Sequence, residues 1–116
     1  MKNNFINKTE KAFESIKHID ENDVEFWYAR KLMATLEYSK WENFIKVINK
    51  VKQSCENSNI SVFEHFPDVR KTLEMPNNAE KIIDDYKLTR YACYLIAQNG
   101  DSRKTTIALA QIYFAI

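Results

Sequence analysis

The stretch Asp85–Asn99, DYKLTRYACYLIAQN, decides how this chain folds. Its first residues are typical of a strand that leads into a helix, and the apolar residues after Leu88 cover far more than one side of that helix. Such a helix is predicted to lie at the centre of a domain. It carries Arg90, and because an unpaired charge is costly to bury, the preceding carboxylates Asp84 and Asp85 are its predicted counterions in a structural ion pair.

Apolar residues spaced three and four positions apart predict further helices around this central one. They lie at residues 3–17, 29–37 and 39–54, and after residue 101. Ser39 followed by Glu42 forms a capping box, which places the start of the third of these helices at Ser39. Its apolar stripe, from Trp41 to Cys55, is predicted to face the core.

Two hairpins are predicted between the helices. The first joins residues 18–19 to residues 25–28 around a polar turn. The second joins residues 72–75 to residues 81–85, with Asn77–Asn78 taking the positive φ that glycine usually supplies. The predicted fold class is therefore α+β, a helix-dominated single domain with small antiparallel hairpins.

The end of the chain is predicted from one glycine and one aspartate. Gly100 is expected to stop the central helix and Asp101 to cap the last one, whose inward face includes Ile107 and Phe114. With one Gly and two Pro in 116 residues, no linker is indicated, and residues 1–116 are predicted to form one domain. The last helix lacks a stop signal before Ile116, which predicts an N-terminal fragment of a longer protein.

The composition excludes several function classes. Lys and Arg number 17 against 16 Asp and Glu, so global charge does not argue for nucleic acid, and a binding surface requires local sorting of lysines. The two cysteines, Cys55 and Cys93, are predicted to be reduced core residues of a cytoplasmic protein. Two isolated histidines and the absence of phosphate-binding or nucleophile motifs predict no metal, no cofactor and no catalysis.

The central stretch, with NGDSRKTTIALAQIYFA after it and EFWYARKLMATLEYSKWENFIKVINKVKQSC before it, closely resembles the DNA-damage-inducible protein D family. The likeness continues through EHF and the DV that follows, and it covers the chain from about Phe13 to the end. It implies a Bro-N type domain, similar to the N-terminal domains of phage antirepressors, in a bacterial DNA-damage (SOS) response protein with DNA as partner. Family members continue well past the point where this chain stops.

Residues 29–37 and 39–54, joined by a minimal turn, resemble a helix-turn-helix, whose second helix enters the major groove of DNA. On this hypothesis the exposed face of the second helix reads bases and binds phosphates through Lys40, Asn43, Lys46, Asn49 and Lys50. The alternative is a helical hairpin with solvated lysines. Trp41 is a weaker candidate, for base stacking, because its spacing places it on the apolar stripe.

Arg103 and Lys104 are a second predicted nucleic-acid contact, in the first turn of the last helix, where free backbone N–H groups can bind phosphate. Cations there oppose the helix dipole, which hints at an anionic ligand, although Asp101 could equally neutralise them. For Arg90 a phosphate contact is the alternative to the ion pair.

A protein-interaction module is the second functional hypothesis, and near-neutral charge favours it. The aromatic face of the last helix, including Tyr113 and Phe114, would dock a C-terminal domain, a second copy in a homodimer, or a repair protein. A third hypothesis is that the domain only positions a C-terminal half that carries the activity.

Overall fold

The structure is a computed structural model that describes residues 10–116. The first part of the helix predicted over residues 3–17 lies outside these residues. Residues 10–15 are helical (α1), and Lys17 already belongs to a strand, so the predicted helix extends two residues too far. Phe13 of α1 is fully buried, in keeping with its place on the predicted apolar face.

Five further helices and four strands follow α1 in the described part of the chain. The helices are α2 (Ala29–Thr35), α3 (Trp41–Asn57), α4 (Val62–His65), α5 (Arg90–Gln98) and α6 (Thr105–Tyr113). The strands are β1 (Lys17–Ile19), β2 (Glu25–Tyr28), β3 (Asp68–Glu74) and β4 (Glu80–Leu88). The predicted α+β class is confirmed.

The four strands form one antiparallel sheet in the order β1-β2-β4-β3. The side chain of Asp20 accepts hydrogen bonds from the backbone N–H groups of Asn22 and Val24, which closes the turn between β1 and β2. β4 joins the two hairpins, because Lys87 and Leu88 pair with β2 while residues 80–86 pair with β3. Both predicted hairpins are confirmed, and the second is longer than predicted.

The turn of the second hairpin relies on two asparagines. Asn77 and Asn78 have φ values of 70° and 60° in the short 3₁₀ segment Pro76–Asn78. This confirms the predicted role, because asparagine tolerates the left-handed region better than other non-glycine residues. Residues 72–82 around this turn are all exposed, and we call them the hairpin arm.

Helix α5 lies at the centre of the domain, as its composition predicted. It contacts α3, α6, β2 and β4, and Ala92, Cys93, Ile96 and Ala97 on it are buried. The helices pack on the inner face of the sheet, the face that carries Trp27 and Leu88, both of which have no exposed surface. Burial of this apolar surface is the main favourable term in folding.

Both cysteines are free and buried, which confirms that they are core residues. Burial raises the pKa of the Cys93 thiol well above its usual value and also raises the pKa of Cys55. A thiol with a raised pKa is poorly reactive, because the thiolate is the nucleophile.

The helix starts differ from those predicted. α3 begins at Trp41 after Lys40, without a side-chain cap, so the capping box at Ser39 does not form. α6 begins at Thr105, four residues beyond the predicted cap Asp101. α5, by contrast, is capped by Thr89, whose hydroxyl accepts the N–H of Ala92 at 3.1 Å.

Gly100 follows α5, where a stop was predicted, but its φ is not positive. A Cβ at this position would lie 2.8 Å from Cγ2 of Ile107. The requirement for glycine is therefore the close approach of α6 to the end of α5, since no left-handed backbone is involved.

Candidate nucleic-acid interface

Helices α2 and α3 are the pair predicted to form a helix-turn-helix. Residues 36–40 join them, and Glu37 in this link has a φ of 67°. The rings of Tyr38 and Phe44 pack with their centroids 5.0 Å apart, which ties the link to the first turn of α3. Two helices joined by a tight turn are thus present, with α3 the longer and more exposed.

The N-terminus of α2 is held by a carboxylate from β4. α2 has no side-chain cap of its own after Tyr28. Instead Asp85, which is completely buried, accepts the N–H of Arg30 at 3.0 Å and forms a salt bridge with the ammonium group of Lys71 at 2.8 Å. Asp85 therefore fixes the first helix of the pair to the sheet.

Arg90 pairs with Glu25 of β2, and the predicted pairing with Asp84 or Asp85 is wrong. Its Nε and Nη2 donate to the two oxygens of Glu25, and its Nη1 donates to the carbonyl oxygen of Tyr113 at 2.9 Å. The physical reason is direction, because α5 starts beside β2 on the inner face. Asp85 lies on the opposite face of β4 from Leu88, where it binds the N–H of Arg30 at the start of α2.

The electrostatics confirm that the charge of Arg90 serves the fold. Hydrogen bonds from Arg90 lower the pKa of Glu25 below its usual value, although partial burial opposes this. The guanidinium also lies 5.2 Å from the ring centroid of Trp27 and 5.0 Å from that of Tyr113. Burial raises the pKa of Tyr113 to about 12.

The solvent face of α3 carries the predicted nucleic-acid contacts. All five predicted residues of this region are exposed, namely Lys40, Asn43, Lys46, Asn49 and Lys50. At about 100° per residue, Asn43, Lys46 and Lys50 fall within one sector of α3 about 60° wide. We call these three residues the α3 sector.

The acids of α3 lie outside this sector. By the same helical spacing Glu42 and Glu56 fall to one side of it, together with Asn49, and Lys40 precedes the helix on the other side. Glu42 lies four residues before Lys46, one helical turn away, so an acid borders the sector on the side of Lys46, where Asn49 also lies.

Arg103 and Lys104 lie in the loop before α6, because that helix starts at Thr105. Arg103 donates from Nε and Nη2 to the carboxylate of Asp101, both at 3.0 Å, so an acid neutralises it. Lys104 lines a small crevice with Glu37 and Asp101 beside the α2–α3 link. This loop is thus near the start of α3, but acids are interspersed among its cations.

A cleft that no sequence pattern predicted lies between α3 and the base of the second hairpin. This cleft, of about 400 Å³, is lined by Trp41 and Asn49 of α3, by Arg70 of β3 and by two acids, Asp68 and Asp84. The guanidinium of Arg30 lies 4.1 Å from the ring centroid of Trp41, and its Nε donates to the carbonyl oxygen of Asp84 at 2.7 Å. Trp41 is half-buried, and Arg30 occupies one of its ring faces.

A second surface lies at the other end of the domain. A groove of about 470 Å³ is lined by Tyr91 and Tyr94 of α5 and by Ile116. Phe114 is buried against Phe13 and therefore belongs mostly to the core. Phe114, which was predicted to help dock a partner, also borders this groove, and the most exposed large apolar residues there are Tyr91 and Ile116.

Among residues 10–116, no three His, Cys, Asp or Glu side chains converge on a point that could hold a metal ion. No helix in this part of the chain combines the length and the apolarity needed to cross a bilayer. The described surfaces offer positive charge, amide donors and apolar area to a ligand.

The family described as the BRO family, N-terminal domain, matches residues 15–115. The DNA damage-inducible protein D of Escherichia coli strain K12 is 42% identical over 111 residues, which is 96% of this chain. The chain spans about 40% of the length of that relative. No solved structure matches the chain.

Proposed function

The chain belongs to the family of BRO N-terminal domains, and on that premise we propose that it binds nucleic acid, DNA in the first place, through the α3 sector. The observation that carries the proposal is the exposure of Asn43, Lys46 and Lys50 within one sector of α3 that contains no acid and that Glu42 borders on one side. Lysine ammonium groups bind phosphates, and an asparagine amide matches the edge of adenine in the major groove.

Further contacts extend this proposed interface at both ends of α3. Lys40 and Lys104 lie near the start of the helix and add positive charge there, and Arg70 flanks its side across the cleft. Arg103 contributes weakly because Asp101 neutralises it. Asn49 lies between the sector and the cleft, where it can donate to a base or to a phosphate.

The relative named for DNA-damage induction supports a role of this module in a bacterial DNA-damage (SOS) response, in the cytoplasm and without catalysis. The module is one domain, and in that role it is the N-terminal part of a longer protein. Its contribution is to hold the protein on DNA.

Fluorescence anisotropy on labelled single- and double-stranded DNA tests the proposal. Three phosphate contacts, from Lys40, Lys46 and Lys50, predict affinity for duplex DNA that falls about forty-fold between about 50 and 200 mM salt. Flat titrations at the lower salt concentration would contradict binding. A higher affinity for single strands would contradict the major-groove geometry while leaving phosphate binding in place.

A protein-interaction role is the second candidate, and the apolar groove beside Tyr91 and Ile116 favours it, because exposed apolar area marks interaction sites. Light scattering on this chain and on a longer form of the protein tests it. If the groove docks a C-terminal region, Tyr91→Ser will bind that region more weakly when it is supplied separately. Equal binding of both variants would argue against this role.

A further inference from the structure

Strand β3 is an edge strand. Within residues 10–116, its neighbour in the sheet is β4 on one side, and its other side carries no strand. Asp68, Arg70, Thr72 and Glu74 on it are exposed. A long edge strand presents unpaired backbone groups that readily pair with another strand.

The hydrogen bonds at both ends of the second hairpin fix which residues of β3 face outward. The N–H of Lys87 donates to the carbonyl oxygen of Pro67 at 3.1 Å, and that of Met75 donates to Ala79 at 2.7 Å. Bonded pairs alternate along an antiparallel ladder. The odd-numbered residues of β3 therefore bond to β4, and Asp68, Arg70, Thr72 and Glu74 direct their N–H and C=O groups outward.

We propose that β3 pairs antiparallel with β3 of a second copy of this chain, with the two-fold axis at Thr72. The outward groups of Thr72 then bond to those of Thr72 in the second copy. Arg70 faces Glu74 of the second copy, and the symmetry repeats this pair. Threonine pairs and opposite charges are favourable cross-strand neighbours.

The charges select this register over its neighbours. In β3 only the even-numbered residues have outward backbone groups, so each must pair with an even-numbered residue of the second copy. The two-fold axis therefore passes through a residue and cannot lie between two residues. An axis at Lys71 would place Lys71 opposite itself and Asp68 opposite Glu74, and an axis at Arg70 would place that arginine opposite itself. An axis at Leu73 would set Arg70 opposite Pro76, which has no N–H to donate, and Thr72 opposite Glu74, whereas an axis at Thr72 sets only Asp68, the first residue of β3, opposite Pro76.

An unfavourable contact within one copy also points to a second copy. Glu74 lies directly opposite Glu80 in the ladder between β3 and β4, and like charges in this position repel. Arg70 of the second copy would lie beside Glu74 and relieve that repulsion. Leu73 and Met75, which are 44% and 42% exposed, would be partly covered by the same pairing.

The pairing would create an eight-stranded sheet with both helical layers on one side, because the two-fold axis stands perpendicular to the sheet. One strand pair covers less area than the roughly 1,200 Å² of a stable interface, so the dimer is expected to be weak. The inference concerns the protein without DNA, so its failure would leave the proposed function untouched.

Sedimentation equilibrium tests the charge pattern. The wild-type chain should dimerise as its concentration approaches about 1 mM. Glu74→Arg should remain monomeric, because arginine then meets Arg70 of the second copy, although inside the hairpin it attracts Glu80. Adding Arg70→Glu to that variant should restore the dimer. The matched control Glu21→Arg, with the same charge change in the turn at the other edge of the sheet, should keep it.

A monomeric wild-type chain at about 1 mM would overturn the proposal. A dimer that survives Glu74→Arg, or one that Glu21→Arg also abolishes, would overturn it too, because the pairing would not depend on the register at Thr72. Thr72→Cys adds a direct check, since Cα atoms of a bonded pair lie about 5.5 Å apart, within disulfide reach. It should oxidise to a covalent dimer much faster than Leu73→Cys, and equal rates would contradict the register.

Discussion

The arginine at the start of α5 and the lysines of α3 are cations of one small domain in opposite situations. Arg90 is hydrogen-bonded to Glu25 and to the backbone of Tyr113, and aromatic rings surround it. Lys46 and Lys50 are exposed on α3, within the α3 sector. The first cation is committed to the fold, and the second pair is available to a ligand.

This comparison shows that a balanced net charge can hide two groups of charged side chains, those paired within the domain and those exposed to a ligand. The buried carboxylates engage cations inside the domain, as Asp85 engages Lys71. What remains on α3 is a local excess of positive charge. Local charge, more than net charge, decides whether a surface attracts phosphate.

Among the charged side chains that stabilise the fold, Asp85 is expected to have the largest effect on the free energy of unfolding when it is replaced. Asp85→Ala removes the cap of α2 and leaves Lys71 without its partner, so the free energy of unfolding should fall by about 4 kcal/mol. Urea denaturation measures it. The matched control Asp84→Ala, in which an exposed side chain is lost, should change stability by less than about 0.5 kcal/mol. Equal losses would show that Asp85 does not cap α2.

Replacing Arg90 should have the next largest effect. Arg90→Ala leaves the carboxylate of Glu25 with Lys17 alone, at 3.9 Å, and the carbonyl oxygen of Tyr113 without its donor. It should lower the free energy of unfolding by about 3 kcal/mol. Thermal and urea unfolding measure the loss. The control Arg103→Ala, at an exposed arginine, should not measurably change the free energy of unfolding. A loss as large as that of Arg90→Ala would show that Arg90 is no more important to the fold than an exposed arginine.

The pH dependence of stability gives a further test of the ion pair between Arg90 and Glu25. Because the pKa of Glu25 is lowered in the folded protein, its contribution is complete above its usual value near 4.5 and disappears as the pH falls through the lower folded value. Glu25→Gln should therefore cost about 2 kcal/mol at neutral pH. The difference from wild type should shrink below about pH 4.5, and a constant difference down to pH 3 would contradict the pairing.

The smallest expected effect is at the helix caps, where Thr89 forms a cap in the structure and Ser39, predicted from the sequence, does not. Thr89→Ala should cost about 1 kcal/mol because its hydroxyl caps α5. Ser39→Ala should cost less than about 0.5 kcal/mol, since α3 begins after Lys40 and the serine caps nothing. Chemical denaturation of the two variants side by side measures both losses. A larger loss of stability for Ser39→Ala than for Thr89→Ala would show that the capping box at Ser39 does form.

Much of the fold was predictable from local pattern. The central position of α5, the two hairpins, the asparagine turn and the buried stripe of α3 all follow from periodicity and turn chemistry. The exposure of Lys46 and Lys50 followed from the same stripe. Such features depend on neighbours in the chain, so the sequence reveals them directly.

The partners of the charged groups were not predictable in the same way. Arg90 was assigned to the nearest acids in sequence, yet it binds Glu25, 65 residues away. Asp85 accepts the N–H of Arg30, 55 residues before it, in the first turn of α2. One signal was present, because Tyr28-Ala29-Arg30 contains no capping side chain, and a helix start without a cap needs a partner from elsewhere.

The binding of duplex DNA by Lys50→Glu, compared with Lys11→Glu, tests the central claim most directly. Both variants change the net charge equally, and both lysines are exposed on helices. The account predicts that Lys50→Glu lowers the affinity about ten-fold and reduces the salt slope by about one, with unfolding unchanged, while Lys11→Glu leaves both near wild type. Equal losses in the two variants, or none in either, would contradict it.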